Sequence, residues 1–320
     1  MERKIGLNMI AIIGVMFFTY NYWGLINFDR ALNLDINDYY LNYTKAVRSY
    51  DFGFELYFSI FRDIYTLDFE TFWIINILIM ISLFMSFSYR FVQFPFYLIN
   101  FIYLSTVIGT QIRYFLATFV FIFILSKVKR WSVTLVLLSL ACLIHYGLFI
   151  VLLIYITSRI IFAKYDLSFL YQHRYKIIIA VISVSILALP IIEFLLPYTR
   201  FSYYVGNSKY LGVKSLSSIA YLVVLLITYL YACGLDFFKK LSENDKFLVG
   251  FSILLVVFML MTSPIAILSG RVLTFYFILE VFLSHILFRS SQKLYFVMLC
   301  LSFMKFLPSI IGITKEIGVF

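Results

Sequence analysis

The sequence predicts an all-α polytopic membrane protein, and three observations lead there. Of the 320 residues 63% are hydrophobic and only 13% charged, with a mean hydropathy of +0.97, far outside the range of a soluble domain. The apolar runs are about as long as the ~20 residues that a helix needs to cross ~30 Å of hydrocarbon. They also lack the strict alternation of an outer-membrane barrel strand. The net charge of +10 would suggest nucleic acid in a soluble chain. Here the basic residues cluster in short segments between apolar runs, which marks topology and implies no nucleic-acid partner.

Taken in order, apolar runs bounded by charge give about 11 transmembrane helices, near 5–26, 70–89, 91–108, 112–128, 132–144, 147–162, 176–196, 217–238, 246–263, 270–288 and 292–309. The first follows Met1-Glu2-Arg3-Lys4 and ends in no small-residue cleavage site, so it is expected to stay as a span. Residues 132–162 fit either one long span or two short ones meeting at His145-Tyr146-Gly147. Two short helices place 15 of the 26 Lys and Arg on the cytoplasmic side, whereas a single span leaves 12. The positive-inside tendency therefore favours a pair of short or re-entrant helices around His145. With no internal repeat of the kind that builds paired transporter halves, the chain is expected to form a single membrane domain over 1–320. Its large outer loops are 27–69 and 197–216.

The outer loops hold the unusual residues. Loop 27–69 mixes Asp29, Arg30, Asp35, Asp38, Asp51, Glu55, Arg62, Asp63 and Asp68 with many tyrosines, and loops of that composition are where substrates bind. Asp35, Tyr39 and Tyr43 recur every four residues, so on a helix they share one stripe. A carboxylate beside phenols can hold sugar hydroxyls; the plainer reading is an amphipathic helix lying on the membrane surface. Glu55 follows the Gly53 turn and is either a second functional carboxylate or a helix-start charge.

Arg113 and Arg271 each stand at the N-terminal end of a span, after Gly109-Thr110-Gln111-Ile112 and Ser269-Gly270 respectively. An arginine at bilayer depth costs at least ~2.5 kcal/mol on insertion scales, and a helix N-terminus adds a positive dipole end. Two planar forks on one side of a membrane suit a diphosphate. The plainer alternative is snorkelling to headgroups. His145 reads as a phosphate donor, a general base or a satisfied core histidine. Cys142, Cys233 and Cys300 have no CxxC spacing and no neighbouring histidine, so they are expected to be small buried hydrophobes. Neither a metal site nor a cofactor is expected, because no His/Cys/Asp cluster has ligand spacing. His173, His285, Glu193 and Glu280 receive no role; either glutamate could pair with an arginine.

These pieces, in this order, resemble the EpsG/Wzy group of polysaccharide polymerases. Arg30, then Asp35, Tyr39 and Tyr43, resemble its R-(x)n-D-x3-Y-x3-Y element, and Asp51, Gly53 and Phe54 its acidic-P-G-aromatic turn. Ile112-Arg113 with Leu116-Ala117 is similar to the I-R-Q-x-x-A element, Ile144-His145 to F-H-S/P, and Gly270-Arg271 with Phe275-Tyr276 to the late arginine-aromatic element. Phe52 stands in place of the proline, Tyr114 of the glutamine and Tyr146 of the small polar residue.

The resemblance implies a GT-C-like glycosyltransferase on the periplasmic face of a bacterial inner membrane, which polymerises undecaprenyl-diphosphate-linked repeat units. Arg113 and Arg271 would grip the diphosphate with Arg30 or Arg200 assisting, and Asp35 would be the base, with His145 and Glu55 as alternatives. Its expected partners are a lipid-linked glycan donor and acceptor, membrane lipid, a chain-length regulator and a flippase. A flippase or transporter of lipid-linked sugars, or an O-antigen ligase, would also want outer-face arginines and aromatics.

Overall fold

The computed structural model describes residues 34–88, 111–195, 198, 216–239, 241–263 and 265–316, and every regular element among them is helical. The spans expected at 5–26 and 91–108, together with Arg30, Arg200 and nearly all of loop 197–216, lie outside the described residues. The chain divides into two compact units, one of Met1–Leu152 with Ser302–Phe320 and the other of Leu153–Leu301.

In the first unit the loop expected at 27–69 is folded. It contains α1 (Leu34–Lys45) and α2 (Phe52–Ser59), the latter prolonged by a π-helical turn, Ile60–Ile64. The helix α3 (Phe69–Ser88) follows, then α4 (Ile112–Lys127), α5 (Trp131–Ile144) and the start of α6 (Leu148–Lys164). Buried residues occur almost all round the first three turns of α4, from Ile112 to Ile124, and a helix apolar on every side is a core helix. It lies between α3 and α5, while α2 packs on α5 and α1 on α3.

Aromatic rings join α1, α2 and α3. Tyr43 stacks on Phe72 with centroids 5.0 Å apart, and Phe58 meets both rings edge-on. Each such pair adds about 0.5–1.5 kcal/mol beyond its buried area. Tyr39 and Tyr43 do share a stripe of α1, as their spacing requires, but the stripe is packed rather than solvated. Tyr43 is 3% exposed and its hydroxyl donates to the Leu67 carbonyl oxygen at 2.9 Å. Tyr43 thus packs in an aromatic core.

The second unit holds the rest of α6, α7 (Leu167–Gln172), α8 (Arg174–Leu195), α9 (Leu216–Ala232), α10 (Asp236–Lys239), α11 (Glu243–Met261), α12 (Ala266–Ser290) and the start of α13 (Gln292–Glu316). Its centre is α11, packed against α8, α9 and α12. Side-chain hydroxyls tie these helices through backbone carbonyls, Ser185 to Leu260 at 3.1 Å and Ser269 to Met259 at 2.9 Å, the polar bonding that apolar helix bundles use. Among the described residues α11 is both long and apolar enough to cross a membrane, with shorter apolar stretches at Phe69–Phe84, Trp131–Ile144, Ser218–Ala232 and Gln292–Met304.

Most boundaries fall within a few residues of those read from the sequence; α13 runs on to Glu316 where the span was expected to end at 309, and three further features differ. The span expected at 217–238 stops at Ala232, because the chain turns at Cys233-Gly234 where a Cβ on Gly234 would strike the Tyr171 ring. Cys142 and Cys233 are buried, whereas Cys300 is exposed. Arg271, expected to open a span, lies in the second turn of a helix that already begins at Ala266.

Candidate functional site

Three pieces of the first unit meet around Arg113. The first is the start of α2. Asp51 occupies its N-cap position with an extended backbone (φ −65°, ψ 144°), yet its side chain does not cap the helix. Instead Oδ2 accepts from Arg113 Nη1 at 3.1 Å. Gly53 explains how the turn comes so close to its neighbour: a Cβ there would lie 2.8 Å from the Leu143 carbonyl carbon and 2.9 Å from the Ile144 nitrogen. Only glycine lets the two backbones approach in this way.

The second piece is the first turn of α4. Gln111, at its N-cap position, supplies no side-chain cap. The Arg113 guanidinium carbon lies over the Tyr50 ring, 4.0 Å from its centroid, and Nε points at the Tyr39 hydroxyl oxygen 3.5 Å away. Burial, followed by the neighbouring Tyr39, pushes the Tyr50 phenol well above its ordinary pKa. The ring therefore stays neutral and acts through its face, a cation–π contact of about 1–2 kcal/mol when partly desolvated. The Arg113 and Asp51 side chains retain 25% and 14% exposure, and the described contacts of Arg113 use Nε and Nη1, leaving Nη2.

The third piece is the break between α5 and α6. His145 has an extended backbone (φ −149°, ψ 111°) and is 8% exposed. Its Nδ1 accepts the Gly147 N–H at 2.9 Å, so in the neutral ring the proton sits on Nε2. The ring stands edge-on to Tyr114, the residue after Arg113, with centroids 5.2 Å apart. Tyr146, the next residue, accepts from the Phe52 N–H through its hydroxyl at 3.4 Å. The expected break at His145-Tyr146-Gly147 is thus where α2, α4 and the α5–α6 junction meet.

Glu55 braces this corner. Its Oε1 accepts from Asn42 Nδ2 at 2.9 Å and from the Tyr50 N–H at 2.7 Å, while Oε2 is buried with no hydrogen-bond partner among the described residues. Asn42 Oδ1 accepts the Arg48 N–H. The bridged loop contains two non-glycine residues in the left-handed region, Ala46 (φ 51°) and Arg48 (φ 53°), a strain that surrounding structure must hold in place. Asp35 lies in α1, its side chain outside the described residues.

Arg271 belongs to the second unit, half-buried on α12. A Cβ at the preceding Gly270 would meet nothing within 4 Å, so the helix surface beside Arg271 is open. Glu280 does not pair with it along the helix: nine residues at ~100° each put the two on opposite faces. Glu280 is fully buried, one turn from Tyr276, whose hydroxyl is 2.7 Å from that of Tyr229. Among the described residues no three His, Cys, Asp or Glu side chains gather as a metal site. Sequence reading missed Tyr50 and the ion pairing of Asp51, because only the fold reveals partners so far apart in the chain, 62 residues for Asp51 and Arg113.

The EpsG family's sequence profile matches residues 7–314, through both units. The chain belongs to the EpsG family. Membership makes it a membrane protein of polysaccharide biosynthesis, a glycosyltransferase-like polymerase, in line with its helical architecture and hydropathy. No curated protein and no solved structure gives a match.

Proposed function

We propose that this EpsG-family chain is a Wzy-type polymerase of undecaprenyl-diphosphate-linked oligosaccharide repeat units. It would span the bacterial inner membrane about 11 times in a GT-C-like arrangement, with its site facing the periplasm. The growing glycan moves onto the non-reducing end of an incoming lipid-linked repeat. The acceptor hydroxyl oxygen bonds to the anomeric carbon, the bond from that carbon to the diphosphate oxygen breaks, and undecaprenyl diphosphate leaves with the electron pair.

Arg113 carries this reading. Its fork is fixed by Asp51 and Tyr50 at an uncapped helix start, while Nη2 and a quarter of the side-chain surface remain for an anion. A cation positioned beforehand where charge develops on a leaving group is the usual source of transition-state stabilisation. Arg271, Arg30 and Arg200 are the further candidate cations for the diphosphate.

The proton leaving the acceptor hydroxyl goes to a carboxylate, with Asp35 the leading candidate. Glu55 is the alternative, through its buried Oε2. His145 suits the phosphate better than the proton, because its Nδ1 lone pair is already used and Nε2 presents a donor. Tyr39 reaches the site through Arg113, and Tyr43 supports it from the aromatic core. No metal is assigned a role, so excess chelator should leave the reaction intact; loss restored by a divalent cation would contradict this. The direct test supplies reconstituted protein with a synthetic undecaprenyl-diphosphate repeat and looks for a ladder of added units. A ladder supports the reading, and its absence from folded protein given its native repeat refutes it.

A further inference from the structure

The second unit contains a cavity of about 480 Å³ where three helix ends meet: the last turns of α6, the start of α7 and the first turns of α11. That volume lies within the ~300–1,000 Å³ of ordinary small-molecule sites. One wall is apolar, with Phe162 and Phe247. The polar lining has three cations, Arg159, Lys164 and Lys246, against two carboxylates, Asp166 and Glu243.

Asp166 is committed to α7, and Glu243 to Lys246 within the lining, which leaves Arg159 and Lys164 as the cations of the proposed site. Asp166 caps α7, accepting from the Leu167 N–H at 2.8 Å and the Ser168 hydroxyl at 3.0 Å. Glu243 accepts from Lys246 at 2.9 Å in a pair whose carboxylate is 88% exposed. Among the described residues neither forms an ion pair with Arg159 or Lys164. The Arg159 guanidinium carbon lies over the Phe247 ring, 3.7 Å from its centroid, so the ring supports the fork at the cavity wall. Such a fork matches a phosphate in a way that a mobile ammonium does not. Lys164, the exposed last residue of α6, adds a second charge at the rim.

We propose that this cavity binds the phosphate ester of an anionic amphiphile, an anionic glycerophospholipid being the source that its apolar wall favours. Phosphate oxygens take Arg159 and Lys164, and the glycerol and first acyl carbons lie along Phe162 and Phe247. Basic pockets between membrane helices hold acidic headgroups by this combination. The site contains none of the residues assigned to polymerisation and does not depend on that reading.

The test uses full-length protein in detergent, with thermal unfolding and intact-mass spectrometry as readouts. Phosphatidylglycerol, phosphatidylcholine and glycerol phosphate are added separately. Phosphatidylglycerol should raise the unfolding temperature and be retained about tenfold more tightly than phosphatidylcholine. Arg159→Gln should abolish that preference. Lys164→Gln, at an exposed position that folding does not need, should weaken it several-fold. A response to phosphatidylglycerol alone assigns a lipid, and an equal response to glycerol phosphate that is lost in Lys164→Gln assigns a soluble phosphate ester to the same site. Equal retention of both lipids with no response to glycerol phosphate, or an unchanged preference in Lys164→Gln, overturns the proposal.

Discussion

Replacing Gly53 with alanine adds a Cβ 2.8 Å from the Leu143 carbonyl carbon and 2.9 Å from the Ile144 nitrogen. Carbon atoms in comfortable contact stand about 3.5–4.0 Å apart, so α2 and the end of α5 must separate by about 0.7 Å or more. Both neighbours are backbone atoms, and neither can rotate away as a side chain would. Overpacking of this kind costs about 1–3 kcal/mol. Gly53 lies in the first turn of α2, so better helix propensity returns at most about 1 kcal/mol. A net loss of about 1–2 kcal/mol is expected. The larger effect falls on activity, because the displaced turn carries Asp51, which holds Arg113. A misplacement near 1 Å can lower a rate by about 10²-fold.

Thermal unfolding and the polymer ladder should therefore both respond, the ladder far more. Gly270→Ala is the matched control: its Cβ meets open space inside α12, so stability should rise by up to about 1 kcal/mol. Wild-type ladder rate together with wild-type unfolding in Gly53→Ala would refute the close approach as the feature that sets the site.

Three further outcomes are expected. Asp51→Asn keeps the shape but leaves the half-buried Arg113 without its counter-charge; a loss of about 1–3 kcal/mol is expected, the full 3–5 of a buried pair being discounted for its exposure, and an unchanged unfolding temperature would count against the pair. Tyr50→Phe retains the ring under Arg113 and should leave the ladder near wild type, while Tyr50→Leu removes the cation–π contact and should shorten it; equal ladders in the two would dismiss the ring's role. Asp68 accepts the Thr71 N–H at 2.7 Å, chiefly a backbone hydrogen bond that lowers its pKa. Its folded value thus lies below the unfolded one of about 3.9. The stability it contributes is present above that pH and lost as pH falls through the folded value. The difference in unfolding temperature between wild type and Asp68→Ala should be largest near neutrality and vanish in strong acid; a constant difference would contradict a stabilising role for this carboxylate's hydrogen bond.

Helix positions were legible because long apolar runs end in charge. The sequence placed α3 at 70–89 and it occupies 69–88; α4 was placed at 112–128 and occupies 112–127. The break at His145 was also legible, through charge asymmetry. Partnership was not. The 35/39/43 spacing correctly put Tyr39 and Tyr43 on one face, but a phenol suits water and an aromatic core alike, and only the rings of Phe58 and Phe72 decide between them. Ser269-Gly270 looked like a helix start, although the Ser269 hydroxyl bonds back to Met259 and the helix has already begun. Arg113 was found from the cost of placing it there, whereas its holders, Asp51 and Tyr50, emerged only from the fold.

The most direct test of an arginine-held diphosphate compares Arg113→Lys and Arg113→Ala in the reconstituted ladder reaction at saturating lipid-linked repeat. Lysine keeps the charge but loses the fork that Asp51 and Tyr50 orient. Polymer should be absent with alanine and strongly shortened with lysine, at unfolding temperatures that show both proteins folded. A wild-type ladder from Arg113→Lys, or any full-length polymer from Arg113→Ala, would contradict the assignment of Arg113 to the leaving group.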